Sequence, residues 1–189
     1  MTEQILAGRE PSDVYADCYS SEWYRMGRPR FRRMKNALRC ANPPGTFMDV
    51  GCGRAELVDY MQEKGFDAFG CDIVPALCLE DHIDLIKTAA DMPWPDECFD
   101  VVTCSDVLEH VDPAETYPVI EELRRITAQH LIVHVAWYEA KWKLEDGTVI
   151  DLHCNKRDDW KTLLSSIGPW SKVTEQQFSG KQALIHLER

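Results

Sequence analysis

Apolar residues along most of the chain fall into short runs, and the stretches between them carry apolar positions at helical spacing. Residues 46–50, 68–71, 99–104 and 131–135 form compact apolar runs of strand length, and residues 85–89 form a weaker one. Residues 56–64 and 113–127 have the helical period, the second with Pro113 in its first turn. Residues 157–167 predict another helix, ended by Gly168-Pro169. Residues 172–178 and 182–187 predict two strands joined by a tight turn at Ser179-Gly180. Buried strands separated by helices predict an α/β fold: a seven-stranded, doubly wound, mostly parallel sheet with an antiparallel edge strand where the tight turn joins the last pair. Residues 137–154 are polar and aromatic, without a strong period.

Composition fits one domain. The chain has 189 residues, 44% of them hydrophobic, enough for a single sizeable core. Residues 1–44 are expected to form a helical arm or lid, and residues 45–189 the main domain. No apolar run approaches the length of a membrane-spanning helix, and residues 1–11 show neither the basic start nor the apolar stretch of a secretory signal. The expected location is therefore cytoplasmic. Eight cysteines are present, but none forms a Cys-x-x-Cys pair, so reduced and mostly buried thiols are expected rather than a disulfide framework or a zinc site.

The densest chemical signal is Asp49-Val50-Gly51-Cys52-Gly53-Arg54-Ala55-Glu56, where a strand runs into a glycine turn and a helix begins. Such a turn brings backbone amides and a positive helix end close to a ligand. In a dinucleotide site the third glycine of the fingerprint would sit at position 56, but Glu56 stands there. Two carboxylates beside the turn, Asp49 and Glu56, disfavour a diphosphate and favour a cationic ligand.

Asp49-Val50-Gly51-Cys52-Gly53 resembles the first motif of class I S-adenosylmethionine-dependent methyltransferases, with Ala55 where that family usually has a third glycine. Further segments match in order: Phe69-Gly70-Cys71-Asp72, the stretch from Asp91 to Asp100, and Ser105-Asp106-Val107-Leu108-Glu109-His110-Val111. The resemblance covers about residues 45 to 189 and implies the Rossmann-like fold of that class. It implies that Asp49 and the backbone of Gly51, Cys52 and Gly53 hold the methionine end of S-adenosylmethionine. Asp72 would bind the ribose hydroxyls, Ile73 would lie against the adenine, Asp91 would accept from the adenine amino group, and Met92 would add its amide and an apolar wall. Ser105 belongs to the same set, and Tyr15 and Tyr19 of the arm are expected to cap the cleft.

Methyl transfer is an in-line displacement in which positioning does much of the work, so a dedicated base is optional. The candidate catalytic set is Asp106, Glu109, His110 and His153. His110 or His153 would be a metal-free general base, and His134 ends a strand pointing at the same rim. An acid-x-x-Glu-His set with a later His also resembles the divalent-metal site of some O-methyltransferases, so Asp106, Glu109, His110 and His153 form a candidate metal site, with the metal-free reading preferred.

Charge leaves the acceptor open. Lys plus Arg is 21 and Asp plus Glu 32, so the net charge is −11. Six of those cations, Arg25, Arg28, Arg30, Arg32, Arg33 and Lys35, cluster in the arm, and the remainder carries 15 − 32 = −17. The expected acceptor is oxygen or nitrogen of a small or medium-sized molecule. Trp137, Tyr138, Trp142 and His153 would line its wall. The alternatives are an RNA end or nucleotide, held by the arm's cations and methylated at a 2′-oxygen, or a non-catalytic partner protein that binds the cofactor. The Asn/Asp-Pro-Pro-Tyr/Phe segment of amino-methylating nucleic-acid enzymes does not occur after the fourth apolar run.

Overall fold

Strands β1 (Thr46–Val50), β2 (Asp67–Asp72), β3 (Ile83–Leu85), β4 (Phe99–Ser105) and β5 (Thr127–Ala136) lie side by side and pair in parallel. The structure, a computed structural model, describes residues 10–20, 28–137, 140–143, 149–152, 159–178 and 181–189. Strands β8 (Lys172–Phe178) and β9 (Gln182–Glu188) complete a seven-stranded sheet in the order β3-β2-β1-β4-β5-β9-β8. The reversed strand is β9, which pairs antiparallel with both β5 and β8 and so lies one place in from the edge. The expected doubly wound α/β sheet is therefore present, Rossmann-like in its parallel half.

Two apolar layers cover the sheet. On one face Met48, Val50, Val102, Leu131, Val133 and Ile185 pack against helix α4 (Thr116–Ile126) and helix α5 (Trp160–Ser166). On the other, Phe47, Val101, Ile132 and Leu184 pack against α2 (Arg28–Ala37) and α3 (Glu56–Glu63), through Met34, Leu57, Val58 and Met61. The alternation of Phe47 and Met48, one to each layer, is the period-two signature of a strand buried on both faces. Helix α1 (Pro11–Ser20) buries Val14 and Cys18. Through Met34 and Leu38, the second half of the arm shares the packing of the sheet's second layer.

Several boundaries differ from the sequence reading, each for a local reason. The third strand is Ile83–Leu85 rather than residues 85–89, and residues 86–98 pass back to β4 without helix or strand. Helix α4 starts at Thr116, because the Asp112 carboxylate captures the Ala114 N–H at 2.8 Å and turns the chain around Pro113 first. Strand β5 begins at Thr127, since backbone pairing to β4 extends through polar residues that an apolar count skips. The aperiodic stretch after β5 contains an antiparallel pair, β6 (Ala140–Lys143) with β7 (Val149–Leu152). Among the described residues no helix is long and apolar enough to cross a membrane.

Candidate active site

Strands β1, β2 and β4 all end at the same edge of the sheet, and a cleft of about 850 Å³ opens there beneath α1. Its floor is the turn Gly51-Cys52-Gly53, with Asp72 and Ile73 on one side and Ser105, Asp106 and Val107 on the other. Tyr15 and Tyr19 of α1 line it as well. A volume of this size suits a cofactor together with part of a small substrate.

The turn is built for close approach. Gly51 and Gly53 have φ of 72° and 56°, and a Cβ on Gly51 would stand 2.3 Å from Cγ2 of Val107. A Cβ on Gly53 would stand 2.7 Å from the Tyr19 hydroxyl. The Gly51 and Cys52 amides donate to the Cys71 carbonyl at 2.8 and 3.0 Å, which ties the turn to the end of β2. Arg54 donates to the Tyr19 carbonyl at 2.6 Å, latching α1 over the turn.

Asp72, 5% exposed, ends β2 and accepts from the Gly53 N–H at 2.9 Å and the Val74 N–H at 3.0 Å. Burial raises its pKa, and these backbone donors oppose the rise. The carboxylate is therefore fixed in direction while it faces the cleft. Asp49 is placed differently. It lies behind the wall, 2% exposed, accepting from the Thr103 hydroxyl at 2.6 Å, its neighbour in the β1–β4 register. Burial pushes its pKa up to about 7, the Thr103 hydrogen bond opposes this, and the nearby Asp72 charge adds to it. Asp49 thus acts on the cleft through its charge and its hold on β4 rather than by lining it.

The loop expected against the adenine turns away from the cleft. The Met92 N–H donates to Glu122 Oε2 at 2.8 Å, so it is committed inside the fold, and the Met92 side chain is buried in the core. Asp91 is exposed and does not line the cleft. Arg125 of α4 explains this, since it donates to the Met92 carbonyl at 2.9 Å, the Trp94 carbonyl at 2.6 Å and the Glu122 carboxylate. The wall is formed a few residues earlier, by Leu85 to Ala89. No residue-type signal marks Lys87, Thr88 and Ala89. Only the early end of β3 brings them to the rim.

The proposed catalytic residues separate in space. Asp106, at φ 55°, lines the cleft, and its Oδ1 lies 2.9 Å from Nδ1 of His134. His110 also lines the cleft and meets the Tyr15 ring edge-on, with centroids 5.9 Å apart. Glu109 lies behind the wall, 1% exposed, its Oε1 accepting from the Ala136 N–H at 3.0 Å to hold the end of β5. His153, Tyr138, Trp23, Tyr24, Arg25 and Cys154 lie outside the described residues. His134, 1% exposed, is the supporting residue that only its strand-end position signalled.

Among the described residues the cleft lining is acidic, and Arg32, Arg33 and Lys35 of the arm lie elsewhere. Of the described residues, Glu10, Glu56, Asp72, Asp106, Asp112 and Glu115 line it against Arg54 and Lys87, six carboxylates to two cations. On α2, Arg33 lies over the Phe178 ring at 3.8 Å and donates to Gln182, while Lys35 lies over the Tyr60 ring at 4.2 Å. Neither they nor Arg32 line the cleft, so the expected basic patch at its mouth is corrected for these three residues. Among the described cysteines all are free thiols, with Cys18, Cys52, Cys71 and Cys104 buried.

A parallel sheet in this order, a glycine turn after β1 and an acid closing β2 define the class I methyltransferase fold. Residues 48–132 match the family described as a methyltransferase domain. An O-methyltransferase of ubiquinone biosynthesis from Aliivibrio fischeri is 29% identical over 133 residues, covering 60% of this chain and 57% of that protein. The chain thus spans a little over half the length of that relative. A S-adenosylmethionine-dependent methyltransferase from Archaeoglobus fulgidus superposes with a TM-score of 0.69 at 15% identity, over 95% of this chain and 100% of that one. The 1,6-didemethyltoxoflavin-N1-methyltransferase of Burkholderia thailandensis, solved with S-adenosylhomocysteine, gives 0.61 at 12% identity, over 96% and 91%.

Proposed function

We propose that the chain is a S-adenosylmethionine-dependent methyltransferase acting on oxygen or nitrogen of a small or medium-sized acceptor. One observation carries the reading: among the described residues, the cleft at the glycine turn is lined by six carboxylates and two cations. That excess of negative charge suits a sulfonium and an ammonium group and opposes a pyrophosphate. The residues fit the group. The Gly51 to Gly53 turn offers close backbone approach, Asp72 an oriented ribose acceptor, and Ile73 an apolar wall.

When bound, the cofactor supplies an electrophilic methyl on a positively charged sulfur. The acceptor's lone pair forms the new bond to carbon, the carbon–sulfur pair stays on sulfur, and the acceptor's proton leaves to a base. Asp106 and His110 are titratable groups that line the cleft, and they are assigned that role. Tyr15 and Tyr19 exclude water from above, and their rings are suited to a sulfonium. Residues 137–154, following β5 with the β6–β7 pair, are assigned to the acceptor wall. Oxygen is the favoured atom because relatives are named O-methyltransferases.

The acidic cleft works against an RNA-end acceptor, whose phosphates it would repel. The metal-free form is retained because Glu109 is engaged with the end of β5. The test is turnover of methyl-labelled cofactor by the purified chain alone, against phenols, catechols, amines and short RNA, with and without EDTA. Labelling of a small acceptor that survives EDTA supports the reading. Thermal stabilisation by a dinucleotide but not by S-adenosylhomocysteine would overturn the cofactor assignment. Binding without turnover on any acceptor would favour a partner protein.

A further inference from the structure

At the opposite end of the sheet from the cleft, Cys40, His130 and His186 come together from three separate elements. Cys40 closes the 3-10 turn that extends α2, His130 lies in the first half of β5, and His186 lies near the end of β9. Strands β5 and β9 are antiparallel and pair Ile132 with His186 and His130 with Glu188. The two histidines are therefore diagonal neighbours on one face, the same face on which Ile132 packs toward α2 and α3. Their ring nitrogens, His186 Nε2 and His130 Nδ1, are 3.1 Å apart, and one ligand atom from each of the three residues lies within 4.8 Å of the others.

We propose that Cys40, His130 and His186 bind a borderline-soft divalent metal ion, zinc being the best suited. Two imidazole nitrogens on one tetrahedral zinc stand about 3.3 Å apart, given zinc–nitrogen bonds of about 2.0–2.1 Å. The observed 3.1 Å is close to that chord. A thiolate and an imidazole on the same ion stand about 3.5 Å apart, so the thiol closes the site with a movement of little more than about 1 Å from the 4.8 Å bound. A single sulfur with two imidazoles selects zinc, cobalt or copper over magnesium or calcium.

The surroundings agree. Glu188 Oε1 lies 3.9 Å from Nδ1 of His186, the ring nitrogen that does not face His130. A carboxylate there is the usual outer partner that fixes a ligating imidazole, and Lys172 holds it in place at 2.7 Å. All three ligand residues are partly exposed, so an ion can enter and water can take the fourth position. Two neutral imidazoles, one thiolate, one carboxylate and one ammonium sum to −1, which suits a dication. Burial raises the Cys40 thiol pKa, so the metal-free residue is a thiol, and loading the site releases its proton. The bond would fasten the arm, through the turn after α2, to β5 and β9.

Cobalt(II) titration of the full chain, in a thiol-free reductant, tests this. One equivalent should give the intense visible bands of tetrahedral cobalt with a near-ultraviolet thiolate charge-transfer band, and zinc should displace it. Cys40→Ser should lose the charge-transfer band, and His130→Ala or His186→Ala should weaken binding about 100-fold or more, beyond what an outer-shell change costs. Circular dichroism and S-adenosylhomocysteine binding should be unchanged in all three variants. A thiolate band that persists in Cys40→Ser, or affinity that survives both histidine changes, would overturn the assignment. So would a weak six-coordinate spectrum in the unaltered chain.

Discussion

Asp106 and His134 are joined twice across the ends of β4 and β5: the Asp106 N–H donates to the His134 carbonyl at 2.9 Å, and Asp106 Oδ1 meets His134 Nδ1 at 2.9 Å. The first link sets the backbone at φ 55°, where a non-glycine residue is strained, and the second aims the carboxylate. If Asp106 is the base, His134 acts through it. Asp106→Asn should lower kcat/KM about 100-fold or more, and His134→Phe about 10- to 100-fold. The double variant should be no worse than Asp106→Asn, because groups working as a unit are not additive. Multiplying losses, or an Asp106→Asn enzyme of full activity with normal cofactor binding, would assign the role to His110.

The Asp49 carboxyl predicts a pH effect on cofactor affinity. Its folded pKa, pushed up to about 7, lies above its unfolded value, so its contribution to stability is present at low pH and is lost as pH rises through about 7. A cationic ligand nearby favours the ionised form and reverses that trend for the complex. Affinity for S-adenosylmethionine, measured by calorimetry, should therefore increase between about pH 6 and pH 8. In Asp49→Asn the dependence should flatten. An unchanged profile in that variant would place the titration on another group.

Asp72 offers the plainest test of the ribose assignment. Asp72→Ala removes the acceptor for the cofactor and for the Gly53 and Val74 amides. Two lost hydrogen bonds to a charged group, at about 1.5 kcal/mol each, correspond to a loss of roughly 100-fold in affinity for S-adenosylhomocysteine. Unchanged affinity in a folded variant would refute the assignment.

How far the sequence could be read depends on whether a feature is local. The glycine turn, Asp72 at the end of β2 and the closing pair β8–β9 are written in contiguous residues, and their placement agrees with the reading. The wall from Leu85 to Ala89 was missed because its position follows from where β3 stops, and β3 pairs with β2 over only three residues. Met92 looked available until Glu122, thirty residues on, took its amide. The β6 and β7 strands are four residues each, too short for period to show. Cys40, His130 and His186 share no spacing at all, since the β5–β9 register brings the two histidines together and the turn after α2 adds the cysteine.

Arg125 should control the loop that departs from expectation. Its guanidinium bridges α4 to residues 92–96, and its hydrogen bond holds the Glu122 carboxyl below the usual range. Arg125→Met should cost about 2–3 kcal/mol in urea unfolding, since it strands the Glu122 charge and two carbonyls. Because the Glu122 pKa is depressed by folding, the stability it contributes is present above the ordinary carboxylate range and lost as pH falls through its folded value. The variant's deficit should accordingly shrink in acid. A deficit constant down to pH 3 would locate the stabilisation in the carbonyl contacts alone.

Ala55, which the family resemblance sets against the usual third glycine of its first motif, sits at φ 58° and ψ 17° as the N-cap of α3. A Cβ in that left-handed conformation costs about 1–2 kcal/mol, while glycine would return up to about 1 kcal/mol through greater freedom of the unfolded chain. The first effect is the larger, so Ala55→Gly should raise stability by up to about 1 kcal/mol, or a Tm gain of about 2–4 °C. Gly51→Ala is the opposite case. It combines φ 72° with a contact 2.3 Å from Val107, so it should destabilise and should also weaken cofactor binding. If Ala55→Gly lowered the Tm while Gly51→Ala left it unchanged, the backbone of the turn would differ from the one described, and the close approach on which the cofactor site depends would fail with it.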